Sequence, residues 1–351
     1  MPESPKKAAT ADPLPLPLWL SACVILPHRT EISGSLAARA VGKRGFAMKK
    51  VVLSVVALAA SVAPVLAADL VKQAPAPVAA PAAVSPWDIA FGGVIMSDYN
   101  FRGVSQSNRG PSAGAYFEPQ FNTGFGTLYV GLAGYAIEWP STTNPPYGFT
   151  DPSAEIDFYG GWRNTWGAFS LDLGAIYYYY PEEIFNGFTD DSDYLEIYAK
   201  GAYAITPAFT IGANVFYTPD LLNYSETFRA VGVNADADAL YASLTAKWVT
   251  PWTYGDLGAY ISGELGHWWI NDAGFAAPAV GAADPSYTYY NVGLAFTYKA
   301  VTLDLRYHGT DQSPRDCRNF LVVSAPNRAS DWCDDTFIVS LKFDTTLAAL
   351  K

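Results

Sequence analysis

The sequence predicts an all-β fold, a transmembrane antiparallel up-and-down β-barrel of twelve strands. Three observations predict it. Twelve segments between Trp87 and Phe343 are apolar at every second position, the period of a strand with two unlike faces. The gaps between them run long, short, long, short to the end, as in membrane barrels with tight turns on one side and longer loops on the other. Charged residues are only 16% of the chain against 15% aromatics, so the apolar face is the larger one. A secreted sandwich would bury that face and show a charged exterior; here the pattern is inside-out.

Residues 1–85 precede the barrel. Met48-Lys49-Lys50, the apolar run Val51–Ala63, Pro64 and Val65-Leu66-Ala67 follow the order of an export signal, with cleavage expected after Ala67. The uncharged run Val51–Ala68 has the 18 residues of a membrane helix. Its low Leu and Ile content, Pro64 and the small residues at the site favour a signal peptide over 48–67. Met48 is then the expected start, and 1–47 is an extension without packing periodicity. Residues 68–85 are Ala/Pro-rich and read as a periplasmic linker. The barrel is expected over 86–344 and a short tail over 345–351.

Removing 1–67 takes away 8 of 22 basic and 3 of 33 acidic residues, leaving 14 and 30, a net charge of −16. That acidity excludes nucleic acid as a partner, because phosphate binding needs Lys and Arg.

The first strand is expected over Trp87–Arg102, with Ile89, Phe91 and Ile95 outward and Asp88, Asp98 and Arg102 inward. Strands follow near 112–121, 127–139, 155–163, 168–180, 193–204, 209–218, 239–248, 256–269, 286–298, 301–308 and 336–343. The short gaps are 122–126, 164–167, 205–208, 249–255 and 299–300, and all but the last hold Gly or Pro. Six long and five short gaps place both termini on the periplasmic side. Twelve strands enclose a lumen between the filled eight-stranded and the water-filled sixteen-stranded cases.

The register assigns the inner wall. Its acidic members are Asp88, Asp98, Glu118, Glu155, Asp157, Asp172, Glu196, Glu264 and Asp304; its basic members are Arg102, Arg163, Lys200, Lys247, Arg306 and Lys342. Nine carboxylates against six bases favour cations mildly in an open pore. Pairing of Asp304 with Arg306, and of Glu155 or Asp157 with Arg163, would instead fill the lumen. Both outcomes stay open at this point.

Cys317 and Cys333 share the last long gap, and an oxidising envelope favours their pairing over free thiols. Closing a loop of about 17 residues contributes roughly 3 kcal/mol. No His or third Cys lies at metal-ligand spacing, so no metal and no cofactor are expected. His267 falls outward beside Trp268 and Trp269, and His308 stands inward with no nucleophile motif near it, so no enzyme is expected. Acidic gaps such as 182–193 and 331–335 suit divalent ions facing lipopolysaccharide but lack calcium-loop spacing.

Ser97-Asp98-Tyr99-Asn100-Phe101-Arg102-Gly103-Val104-Ser105-Gln106-Ser107 resembles the opening signature of the TorF family, a group assigned as porins. Glu155–Trp162, Leu171–Pro181 and Tyr194–Tyr198 are also similar to that family. The resemblance implies an outer-membrane porin, a passive diffusion channel for small cationic or neutral solutes. The alternative is a non-conducting structural or adhesive barrel that acts through its loops. Phe343 resembles the terminal aromatic that barrel assembly machinery reads, although Asp344–Lys351 follow it. Expected partners are therefore outer-membrane lipid, lipopolysaccharide, the assembly machinery and small solutes. Monomer and trimer stay open.

Overall fold

A computed structural model describes residues 85–139, 152, 154–181, 191–225, 236–271, 285–314, 316–317 and 331–350. The extension, the signal peptide and all but the last residue of the linker lie outside the described residues.

The chain forms β1 (Trp87–Met96), a two-residue pair β2 (Asn100–Phe101) and β3 (Val104–Ser105), then β4 (Ser112–Asn122), β5 (Thr127–Ala136), β6 (Ala154–Trp166) and β7 (Phe169–Tyr179). After these come β8 (Tyr194–Thr206), β9 (Phe209–Thr218), β10 (Ala239–Tyr254), β11 (Leu257–Ile270), β12 (Tyr287–Tyr298), β13 (Val301–Thr310) and β14 (Thr336–Thr346). β1 and β4–β14 are the twelve strands of a closed antiparallel barrel. β1 pairs with β4 on one side and with β14 on the other, which leaves no open edge. Closure is what lets strands cross a bilayer with every backbone group paired.

The two faces separate cleanly. Outward Val130, Leu244 and Phe337 are 63%, 60% and 59% exposed, whereas inward Glu118 and Asn214 have no exposure. Exposed aromatics gather at strand ends: Trp87, Trp166, Tyr254 and Tyr298 at the short-turn end, and Tyr179, Trp269 and Phe337 at the long-loop end. Such girdles belong at the two interfaces of a membrane. Inside the wall, tyrosines lie flat over cross-strand glycines. Gly131 sits opposite Tyr159 and Gly174 opposite Tyr198, and a β-carbon at either glycine would strike the facing phenol ring. The ring covers backbone that the missing side chain leaves bare.

The structure corrects several boundaries. β1 ends at Met96 and not at Arg102, because the chain turns into the lumen; Arg102 and Gly103 adopt φ of 48° and 92°, incompatible with a continuing strand. β5 stops at Ala136, short of 139. β6 runs through 164–166 and turns at Gly167-Ala168, so the gap expected at 164–167 is mostly strand. β10 runs through 249–254, with a register shift between Val249 and Thr253 around Pro251, which has no N–H for the ladder. β14 continues past Phe343 to Thr346, and Phe343 stays outward, opposite Gly93 and Val301. Cys317 and Cys333 form a disulfide with Cα atoms 5.8 Å apart.

Candidate functional site: the lumen and its inward loop

The stretch between β1 and β4 decides what the lumen can do. Ser97 still holds the wall, its N–H donating to the Val339 carbonyl at 2.9 Å. Asp98 then turns inward and accepts from the hydroxyls of Ser105 (2.6 Å) and Ser107 (3.1 Å), which close the base of the excursion. Burial pushes the Asp98 carboxyl above its usual range, although both hydroxyls and the more distant Arg109 oppose that rise. The β2–β3 pair carries the tip across the lumen with Arg102 at its end.

Arg102 reaches β8. Its Nη1 and Nη2 donate to both carboxylate oxygens of Glu196 at 2.8 and 2.7 Å, the bidentate geometry that makes Arg–carboxylate pairs strong. Four rings surround the guanidinium: Phe101, Phe216, Tyr241 and Trp268, with centroids 4.6, 4.7, 4.4 and 4.7 Å away. Burial alone would lower its pKa; the Glu196 carboxylate outweighs that and holds it above the usual arginine range. The ion stays charged inside a buried cage, where cation–π attraction is larger than at an exposed site.

Around the cage the long-loop half of the lumen is filled. Tyr99 donates to Glu155 Oε1 at 2.5 Å and Tyr180 to its Oε2 at 2.9 Å. Tyr178 donates to Glu196 at 3.0 Å, and Tyr135, Trp139, Tyr194, Tyr287 and Tyr289 are buried beside them. Residues 331–334, which flank Cys333, clasp this assembly. Trp332 O accepts from the Ser105 N–H at 3.0 Å, and Trp332 Nε1 donates to Asn108 at 3.2 Å. Arg109 donates to the carbonyls of Asp331 and Asp334.

Below the tip lies a cavity of about 280 Å³. Its acidic lining is Asp98, Asp157, Asp172, Glu264 and Asp304; its basic lining is Arg102, Lys200, Lys247, Arg306 and Lys342. Five face five, so the excess of nine over six expected from register does not reach the cavity surface. The missing carboxylates are engaged elsewhere. Glu196 holds Arg102, Glu155 holds two phenols, and Glu118 pairs with Arg163. Asp88 accepts the backbone N–H of Ala348 at 3.0 Å, at the turn end.

Asp304 pairs with Arg306 at 2.8 Å, as its spacing suggests. Arg163 does not reach Glu155 or Asp157. They lie six or more residues up the same strand, on the order of 20 Å away; Arg163 pairs with Glu118 and stands opposite Asp172 in the neighbouring strand. Asp98 and Arg102 are inside the lumen, but a loop brings them there and not the strand register. Lys200 stacks over Tyr198 at 4.0 Å and Lys247 over Tyr260 at 4.2 Å, and the phenols of Tyr129 and Tyr198 meet at 2.6 Å. The cage rings were not singled out from the sequence; the tell-tale was an Arg-Gly pair ending an otherwise perfect alternation. His308 meets the Tyr289 hydroxyl at 2.9 Å and His267 meets Thr288 and Trp269. Among the described residues no cluster of His, Cys, Asp and Glu is arranged to hold a metal ion.

Fold and site together define a closed twelve-stranded barrel with an apolar exterior and a lumen narrowed by its own first loop. The chain belongs to the Gcw_chp family, described as bacterial proteins of unknown function, whose family model matches residues 80–343. That match carries no TorF name, so the TorF resemblance rests on the residues quoted for it. No curated protein matches the chain. Among solved structures, an outer membrane channel from Pseudomonas putida F1 is similar at 12% identity, covering 76% of this chain and 97% of its own, with a TM-score of 0.44. The NanC porin is similar at 9% identity, covering 73% and 98%, with a TM-score of 0.42. The outer membrane channel DcaP of Acinetobacter baumannii is similar at 8% identity, covering 74% and 96%, with a TM-score of 0.34.

Proposed function

We propose that this chain is an outer-membrane porin, a passive diffusion channel for small solutes, with the first loop as its constriction. The observation that carries this is the cavity of about 280 Å³ lined by charges of both signs inside a closed, outwardly apolar barrel. Buried charge is costly unless it is paired or meets water, and Lys200 lines the cavity with no carboxylate in an ion pair to it among the described residues, which supports a wetted space there. The balanced lining supports small solutes with weak charge preference. The proposal includes export by a signal peptide cleaved after Ala67, insertion by the barrel assembly machinery, and loops set against lipopolysaccharide.

A second reading, a non-conducting barrel that acts through its loops, draws on the Arg102 cage and the filled long-loop half. Planar-bilayer recording of refolded protein separates the two. Discrete conductance steps support the channel; a silent bilayer with correctly folded protein supports the plugged barrel.

A further inference from the structure

Three of the four rings around Arg102, and the carboxylate that binds it, do not belong to the loop. Phe216 sits on β9, Tyr241 on β10, Trp268 on β11 and Glu196 on β8. They are consecutive wall strands hydrogen-bonded to one another, so the cage is preassembled by the barrel. Three aromatic faces and one carboxylate, converging on a single point, make a receptor for an organic cation. Its occupant is a side chain from a tip that takes two consecutive left-handed residues. The cavity reaches the cage, touching Phe101, Arg102, Phe216 and Tyr241. A solute in the cavity therefore meets the face of the site.

We propose that the Phe216–Tyr241–Trp268–Glu196 cage is a binding site for solutes bearing a guanidinium or alkylammonium group, and that Arg102 occupies it as an intramolecular stand-in. This deepens the channel reading, on which it rests, by naming the solute class. A cationic solute competes with Arg102 for the same rings and the same two carboxylate oxygens. Displacement frees the tip and widens the lumen where it is most filled. A neutral solute of the same shape offers no charge to Glu196 and does not compete.

The test titrates full-length barrel refolded in detergent with methylguanidinium, and with neutral methylurea as the shape control, by calorimetry. In Arg102→Ala the cage loses its stand-in and methylguanidinium is expected to bind at least about tenfold more tightly than to wild type. Glu196→Gln in that background is expected to weaken binding about tenfold or more, and methylurea is expected to bind none of the proteins. Arg102→Lys, which still fills the cage with a cation, should behave as wild type. Arg102→Gln serves if the alanine variant does not refold. Equal methylguanidinium affinity in wild type and in the folded Arg102 variants, or equal affinity for methylurea, overturns the inference. Calorimetry does not depend on conductance. A barrel that binds methylguanidinium in this pattern but never conducts removes the channel reading alone, and one that conducts without such binding removes the cage site alone.

Discussion

The two halves of the lumen are built from the same alternating strands and end in opposite conditions. At the long-loop end an arginine from the first loop is held by Glu196 and four rings, both partners of the pair being nearly inaccessible at 6% and 1% side-chain exposure. Toward the turn end Arg163 keeps 21% side-chain exposure although its partner Glu118 has none, and Lys200 and Lys247 line a cavity. The wall pattern alone does not set the state of a lumen. What fills one half is a loop segment, and the difference is one of desolvation.

That difference sets the expected effects. The largest belongs to Glu196→Gln, which strands a buried guanidinium and should cost about 3–5 kcal/mol. Urea titration of the lipid-refolded barrel measures it, and adding Arg102→Ala should recover part of the loss. Replacing Cys317 and Cys333 by serine should cost roughly 3 kcal/mol by loop entropy. It should also raise conductance, since the clasp through Trp332 and Asp334 loosens. Arg163→Gln removes the partly accessible member of its pair and leaves the buried Glu118 the Gln120 amide as a donor, so it should cost less, about 1–3 kcal/mol; a loss equal to that of Glu196→Gln would erase the contrast between the halves. The smallest effect is that of Lys247→Gln, within about 0.5 kcal/mol on stability, but it removes one cavity cation. Reversal potentials in a potassium chloride gradient should then shift toward potassium. A strong wild-type preference for either ion would contradict the balanced lining.

The barrel was legible because its signal is repeated twelve times and each strand must choose a face. Trp87, Ile89 and Phe91 against Asp88, Ala90 and Gly92 suffice to orient β1. The inward loop was not legible from period, since Ser97, Tyr99 and Phe101 continue the outward row and Asp98, Asn100 and Arg102 the inward one. Only Gly103 hints at the turn, and the left-handed φ of Arg102 leaves no mark in a sequence. Partners of inward charges depend on level along the barrel as well as on face. Asp304 and Arg306 are two residues apart and were readable; Glu118 and Arg163 sit on β4 and β6, with a strand between them, and were not. The tyrosine–glycine pairs need exact cross-strand register, which tight turns fix only once their lengths are known. The disulfide was legible because two cysteines share one loop.

The most direct measurement is the single-channel conductance of refolded wild type beside Arg102→Ala, in the same lipid and salt. Discrete wild-type steps that become clearly larger in the variant are expected if the first loop is the constriction. Identical steps in the two proteins, with both barrels folded, would contradict it.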